Sequence, residues 1–172
     1  MKYKGYDISI KLGDYRKICK QIGCQEDYQN SQHQILESIL NDSQIKIPRE
    51  LTLQEANDML KDMEKQIRYH GKNLFEYLQE QDKSINEFKE ELAEQAEYRL
   101  KVELLLIKIA EQEDISATTE ELDEEINQLA RENQIPFEAA KEKVTLQGAQ
   151  SKLERKIMLE KTADFLLNLA RS

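Results

Sequence analysis

Hydrophobic positions follow a helical spacing along most of this chain. An alternating stretch opens it, with Tyr6, Ile8 and Ile10 set against polar neighbours, which predicts a strand over residues 3–10. Beyond it apolar residues recur three and four positions apart, between segments rich in Gly, Pro, Asn, Asp and Ser. The predicted helices cover residues 15–22, 26–40, 49–70, 73–81 and 84–113, one stretch starting at Thr118, one from Pro136 to Gly148, and residues 149–170. Ile45 and Ile47 alternate before Pro48, so that piece is predicted to be extended.

Two pairs of these helices are predicted to form antiparallel hairpins. In the first pair, a narrow seam with spacings of three and four residues precedes a short loop and a second apolar helix. The seam consists of Leu53, Ala56, Leu60, Met63 and Ile67. The second hairpin begins with a capping box of Thr118 and Glu121 and carries Leu122, Ile126 and Leu129 before Pro136.

The segment over residues 84–113 predicts a long central helix. Its first half has one apolar face, and its second half is apolar on most sides. Ser84 and Glu87 form a capping box at its start. One apolar face follows, with Ile85, Phe88, Leu92 and Ala96. The stretch "YRLKVELLLIKIA" at residues 98–110 is then apolar on most sides, so residues 100–109 are predicted to be a hub contacted by several helices. The fold expected is all-α: an elongated multi-helix domain with a long central helix, two helical-hairpin arms and a short N-terminal strand.

Composition and charge exclude several classes of protein. The 172 residues carry 25 Lys and Arg against 34 Asp and Glu, a net charge of −9, with no basic stripe that would suit a phosphate backbone. We therefore expect the protein to bind neither nucleic acid nor an anionic membrane surface. The longest uninterrupted apolar run covers residues 104–107, and the N-terminus has no apolar signal region, so a cytoplasmic location is expected.

Candidate chemistry is sparse. Cys19 and Cys24 are separated by four residues, and His33 and His70 do not stand at a zinc-finger spacing from them. The sequence also has no Ser or Cys motif for nucleophilic catalysis and no glycine-rich phosphate loop. We expect no metal, no cofactor and no catalytic residue.

Apolar side chains that two short helices cannot bury on one seam are the remaining candidates for function. Exposed Met and aromatic groups suit a surface that accepts many different partners. The candidate residues are Met59, Met63, Tyr69, Leu74, Phe75, Tyr77 and Leu78 in the first hairpin, and Ile126, Leu129, Ile135, Phe137 and Val144 in the second.

Several segments, in their order along the chain, resemble the C-terminal domain of bacterial trigger factor. They are "IPRELTLQEANDMLKDMEKQIRYHG", "FKEELAEQAEYRLKVELLLIKIAEQEDI", "TTEELDEEINQLARENQ" and "LERKIMLEKTADFLLNLA". The resemblance covers roughly residues 27–170 and implies a helical chaperone domain over residues 25–172, preceded by an N-terminal strand and linker helix over residues 1–24. It also implies an apolar cradle between two arms that binds unfolded or nascent polypeptide without ATP.

This chain departs from the family in two respects. It has no Gly-Phe-Arg loop of the ribosome-binding domain and no room between Ile10 and Ile35 for the FKBP-like prolyl isomerase domain. Ribosome binding and isomerase activity are therefore not expected. A non-catalytic adaptor that grips one dedicated partner, or a second copy in a homodimer, is the alternative.

Overall fold

The computed structural model describes residues 1–23 and 28–171, and within these ranges the chain is mostly helical. The helices are α1 (Tyr15–Ile22), α2 (Tyr28–Asp42), α3 (Arg49–Tyr69), α4 (Leu74–Glu80), α5 (Ile85–Gln112), α6 (Thr119–Glu132), α7 (Phe137–Leu146) and α8 (Gln150–Arg171). The strands are β1 (Lys2–Tyr3), β2 (Tyr6–Asp7), β3 (Ser9–Lys11) and β4 (Gln44–Lys46). The all-α prediction is confirmed. The predicted start of the second helix at Glu26 lies outside the described residues.

Local capping chemistry explains why the helix ends agree with the sequence. The Asp14 side chain accepts a hydrogen bond from the backbone N–H of Lys17 at the start of α1. Reciprocal bonds between Ser84 and Glu87 form the predicted capping box before α5. Because these bonds satisfy backbone donors that a helix leaves unpaired, they fix where each helix begins.

The single strand predicted over residues 3–10 is wrong. Lys4 and Gly5 have positive φ angles of 46° and 86°, so the chain reverses there and β1 pairs antiparallel with β2. A second antiparallel ribbon joins β3 to β4, with Ile10 opposite Ile45, and this confirms the extended segment before Pro48. The glycine makes the reversal possible because it adopts a positive φ without steric cost.

The chain forms two compact units. The first unit comprises residues 1–13 and 40–105, and the second comprises residues 14–39 and 106–172. The boundary predicted between residues 24 and 25 lies outside the described residues and stays a prediction.

A third helix completes the core of the first unit. The α3–α4 hairpin packs against the first half of α5, and the buried cluster consists of Ala56, Leu78, Phe88, Leu92 and Ala96. Met59, Leu60, Met63, Leu74 and Tyr77 pack against this cluster while keeping part of their surface exposed. The apolar face of α5 therefore covers much of the hairpin surface that two helices alone would leave open.

The second unit has the same arrangement of three helices. α6 and α7 pack against α8, and their cluster consists of Leu122, Ile126, Ala130, Ala140, Val144 and Ile157. Leu129, Ile135, Phe137 and Leu153 are among the partly buried side chains around it. Here too the predicted two-helix hairpin is closed by a third helix.

The predicted seam of α3 needs one correction. Leu53 is 48% exposed, whereas Leu51 and Glu55 are buried together with Ala56 and Ile67. Spacing alone allowed either leucine to face inward, and the packing of the first unit selects Leu51. Ile85, predicted on the buried face of the long helix, is likewise exposed.

The apolar stretch of α5 is buried as predicted. Leu100, Leu104 and Leu105 are fully buried in the first unit, and Ile109 is fully buried in the second. Charged neighbours within this stretch, such as Lys101, remain only half-buried, because their long side chains extend toward water.

Glu55 is a buried carboxylate that ties three parts of the first unit together. Its oxygens lie 2.9 Å from Nζ of Lys4 in the β1–β2 turn and 3.5 Å from Nε of Arg99 on α5. A buried carboxylate requires such cationic partners, since leaving it unpaired costs several kcal/mol.

Replacing this carboxylate tests its role. We expect Glu55→Gln to lower the free energy of unfolding by about 2 kcal/mol, because Lys4 and Arg99 lose their anionic partner. Urea denaturation followed by circular dichroism measures the change. Glu94→Gln, on an exposed position of α5, is the matched control and should change stability by less than about 0.5 kcal/mol. Equal effects from the two variants would contradict the role assigned to Glu55.

Candidate functional site

Two aromatic side chains stand exposed on either side of the α3–α4 turn. Tyr69 is 88% exposed at the end of α3, and Phe75 is 68% exposed in the first turn of α4. Gly71 lies between them with a φ of 74°, which lets the chain reverse. The ring of Tyr69 makes an edge contact with the ring of His70, with centroids 5.6 Å apart. The turn therefore presents large apolar groups to solvent.

Helix geometry explains why these two side chains stay outside the core. On α4, Leu74 and Leu78 are four residues apart and face the cluster, and Phe75 is rotated about 100° away from Leu74. On α3, Tyr69 comes two residues after the buried Ile67, which places it on the far side of the helix. Neither position can join the apolar stripe of its own helix.

Charged groups near the turn are paired within the chain. Nζ of Lys72 lies 2.6 Å from a carboxylate oxygen of Glu80, and Arg68 lies 3.1 Å from Glu64. Exposed pairs of this kind contribute little to stability but neutralise the local field. The aromatic surface around the turn is therefore accompanied by little unpaired charge.

The other candidates of the first hairpin divide into two groups. Met59, Met63, Leu74 and Tyr77 are half-buried and keep some surface available. Leu78 is 5% exposed and belongs to the core of the unit. Its place between α3 and α5 gives it a structural role rather than a place on the surface.

The second hairpin offers less apolar surface than the sequence predicts. Ile126 and Val144 are buried in the cluster that α8 completes and present little surface to a ligand. Leu129, Ile135 and Phe137 are half-buried, and Nζ of Lys141 lies 5.3 Å from the centre of the Phe137 ring. The cation covers part of the one aromatic surface that this hairpin presents.

One exposed apolar residue of the second hairpin escaped the sequence analysis. Leu146 is 79% exposed at the end of α7. It comes two residues after Val144, outside the stripe formed by Phe137, Ala140 and Val144. That departure from helical spacing is a signal that could have identified it as a surface residue.

Carboxylates on two sides of α6 bind lysines of the neighbouring helices. Asp123 pairs with Lys141 of α7 at 2.8 Å, and Glu125 pairs with Lys156 of α8 at 2.7 Å. These hydrogen bonds raise the pKa of both lysines. A hydrogen bond from Lys161 lowers the pKa of Glu121.

Glu121 and Glu125 line a groove of about 600 Å³ between α6 and α8. Glu124, Glu160 and Asp164 add further negative charge to its walls, and Arg131 and Lys161 are its cationic members. The groove is therefore acidic rather than apolar. An apolar cradle between the two hairpins stays a prediction.

The described cysteine and histidine candidates, Cys19, His33 and His70, do not form a shared metal site. Cys19 is fully buried, and desolvation raises its pKa to about 11. Cys24 lies outside the described residues. His33 lies 3.4 Å from Glu37 on the same helix. Among residues 1–23 and 28–171, no group of three or more potential ligands is placed to hold a metal ion.

None of the helices in these ranges combines the length and the apolarity needed to cross a membrane.

The arrangement of the helices agrees with comparisons to known proteins. The family model described as the bacterial trigger factor protein C-terminus matches residues 14–168. The chain belongs to the trigger factor C-terminal domain family. Trigger factor from Natranaerobius thermophilus is 36% identical over 132 residues, which are 77% of this chain and 30% of that protein. The relative from Carboxydothermus hydrogenoformans is 34% identical over 139 residues, 81% of this chain and 32% of that protein.

The chain thus spans about a third of the length of these family members. A solved structure of trigger factor domains from Thermotoga maritima superposes with a TM-score of 0.68 at 22% identity, covering 92% of this chain and 96% of that chain. A second structure, of a trigger factor chaperone, superposes with a TM-score of 0.55 at 24% identity, over 81% of this chain and 33% of that one. At these identities the two structures establish that the fold is that of the family.

The division between core and surface candidates is testable by stability. We expect Ile126→Ala to lower the free energy of unfolding by about 3 kcal/mol, because it leaves a cavity in the cluster of α6, α7 and α8. Phe75→Ala should change it by less than about 0.5 kcal/mol, because most of that ring is already in water. Urea denaturation of both variants supplies the comparison, and a larger loss in Phe75→Ala than in Ile126→Ala would reverse the assignment.

Proposed function

We propose that this chain is an ATP-independent holdase chaperone that binds unfolded or nascent polypeptide through exposed apolar side chains of its helical hairpins. Membership of the trigger factor C-terminal family supports the chaperone role. The observation that carries the choice of surface is the exposure of Tyr69 and Phe75 at the α3–α4 turn.

The physical basis of binding is burial of apolar area. Aromatic rings bury a large area at the cost of few rotatable bonds, and apolar burial contributes roughly 25 cal/mol per Å² before the entropy of ordering a client is subtracted. Two exposed rings, and the half-buried Met59, Met63, Leu74 and Tyr77 elsewhere in the same hairpin, favour many weak contacts. Weak contacts allow a client to be released without nucleotide hydrolysis.

The second hairpin is a weaker part of the proposed surface. Leu129, Ile135 and Phe137 keep some exposed area and belong to it. The buried side chains of Leu78, Ile126 and Val144 hold the hairpins in shape and do not touch the client in this proposal.

A pair of substitutions at the turn tests the proposal. The protein should suppress aggregation of several unrelated denatured proteins at near-stoichiometric ratio, measured by light scattering without nucleotide. Tyr69→Ser combined with Phe75→Ser should weaken this protection several-fold while leaving the thermal midpoint unchanged, because both side chains are exposed.

Leu53→Ser is the matched control for these substitutions. It removes an exposed apolar side chain from the same helix, about 24 Å along the axis from Tyr69. Protection that is equally weakened by Leu53→Ser would mean that the turn has no special part in binding. An unmodified protein that protects no client at all would reject the holdase function.

A photo-crosslinking amino acid at position 75, 77 or 137 separates a chaperone from a dedicated adaptor. A holdase should yield crosslinks to many unfolded polypeptides from each position that contacts clients. One crosslinked protein in stoichiometric amount would favour the adaptor, and crosslinks between two copies of this chain would favour a homodimer.

We further propose that residues 1–172 act in the cytoplasm without prolyl isomerase activity and without ribosome binding. The matched family model is the C-terminal part of trigger factor, which supports the absence of isomerase activity from these residues. Acceleration of cis–trans isomerisation in a proline-containing test peptide would contradict this part of the proposal.

A further inference from the structure

The shortest helix of the second unit covers an apolar side of the longest helix in that unit. α1 has eight residues, and Tyr15 and Cys19 lie buried on one of its faces, with Ile18 and Ile22 half-buried beside them. This face packs against α8. Helices of this length are not stable alone in water, so α1 depends on its contacts with the rest of the unit.

A polar cluster at the first turn of α1 holds the helix in place. Glu113, just beyond the end of α5, accepts a hydrogen bond from the hydroxyl of Tyr15. Its two carboxylate oxygens also accept hydrogen bonds of 2.6 Å and 2.5 Å from one Arg16 nitrogen. The Arg16 guanidinium lies 5.8 Å from the centre of the Phe165 ring of α8. The Glu113 carboxylate therefore joins α1 to the end of α5, and Arg16 also contacts α8.

The negative charge of Glu113 is stabilised mainly by side chains of α1. The backbone N–H of Glu113 bonds to the carbonyl of Ile109, so the side chain sits at the C-terminal end of the helix, where the helix dipole disfavours negative charge. Tyr15 and Arg16 offset that cost when α1 is docked. Protonation of the carboxylate, or removal of its charge, takes away the main polar contact of the helix.

We propose that α1 is a detachable strap, latched to the second unit by Glu113, whose release uncovers the apolar side of α8. Detachment itself is a property of the fold and is measured without any client.

The latch responds to acid. The hydrogen bond from Tyr15, followed by those from Arg16, lowers the pKa of Glu113 below its usual value of 4.5. The stabilisation is therefore present above about pH 4.5 and is lost as the pH falls through the lowered value. The groups of α1 that face this carboxylate are Tyr15 and Arg16, and α8 meets the cluster with the uncharged ring of Phe165.

Cys19 reports whether α1 is docked. Its thiol is fully buried, and burial raises its pKa to about 11, so both access and ionisation suppress its reaction with alkylating reagents while the helix is in place. Detachment removes both restraints. Since the chain has two cysteines, Cys24→Ser leaves Cys19 as the single thiol.

The experiment measures iodoacetamide alkylation of Cys19 in the full chain carrying Cys24→Ser. We expect Glu113→Gln to raise the rate at neutral pH by about tenfold or more, because hydrogen bonds to a charged group are lost. Tyr15→Phe removes one hydroxyl with little change of shape and should give a smaller increase. Glu111→Gln is the matched control. Glu111 pairs with Lys108 of the same helix at 2.7 Å, so this variant should leave the alkylation rate unchanged.

Urea distinguishes detachment of α1 from unfolding of the unit. Local opening exposes little surface, so the alkylation rate at low urea should be nearly independent of urea concentration. A rate that follows the global unfolding curve in every variant would overturn the proposal. A Glu113→Gln rate equal to that of the Glu111→Gln control would also overturn it.

An acid titration completes the test with 4,4′-dithiodipyridine, a disulfide that reacts with thiols at low pH. Cys19 should become reactive as the pH falls below about 4.5, before circular dichroism reports loss of helix, and Glu113→Gln should abolish this pH dependence. Reactivity that appears only together with global loss of helix would contradict the latch.

Discussion

Packing of a third helix against each hairpin is the constraint on which the rest of this structure depends. A two-helix hairpin can bury one stripe from each helix, and both hairpins of this chain carry more apolar residues than two stripes hold. The first half of α5 covers the α3–α4 pair, and α8 covers the α6–α7 pair. The large apolar side chains that stay exposed are those that even three helices do not enclose.

The two hairpins differ in what the third helix leaves exposed. Around the α3–α4 turn, Tyr69 and Phe75 lie off the stripes of their helices and remain in solvent beside charges that pair with one another. The α6–α7 pair buries Leu122, Ile126 and Val144 in its cluster, and the groove between α6 and α8 is acidic. The same architecture thus produces one mainly aromatic surface and one mainly charged surface.

Single carboxylates connect the smaller elements to these helical cores. Glu55 holds the N-terminal hairpin to α3 and α5 in the first unit, and Glu113 holds α1 in the second. Both depend on cationic partners far away in sequence. An ion pair of this kind fixes one particular pair of partners. It is also lost more easily than the contacts of an apolar core, because removing one charge removes the interaction.

The sequence alone determined most of the helices, the starts of the capped ones and the long apolar segment of α5, because these follow from spacing and from caps formed within a few residues of one another. It also predicted that some of Met59, Tyr69, Phe75, Tyr77 and Leu78 stay outside a two-helix seam, but not which of them. Only the tertiary structure decided that Leu51 rather than Leu53 faces inward, that Ile126 and Val144 are core, and that Glu55 and Glu113 are latched to distant partners. Those outcomes depend on which helix packs against which, and helical periodicity carries no information about a neighbour that lies far away along the chain.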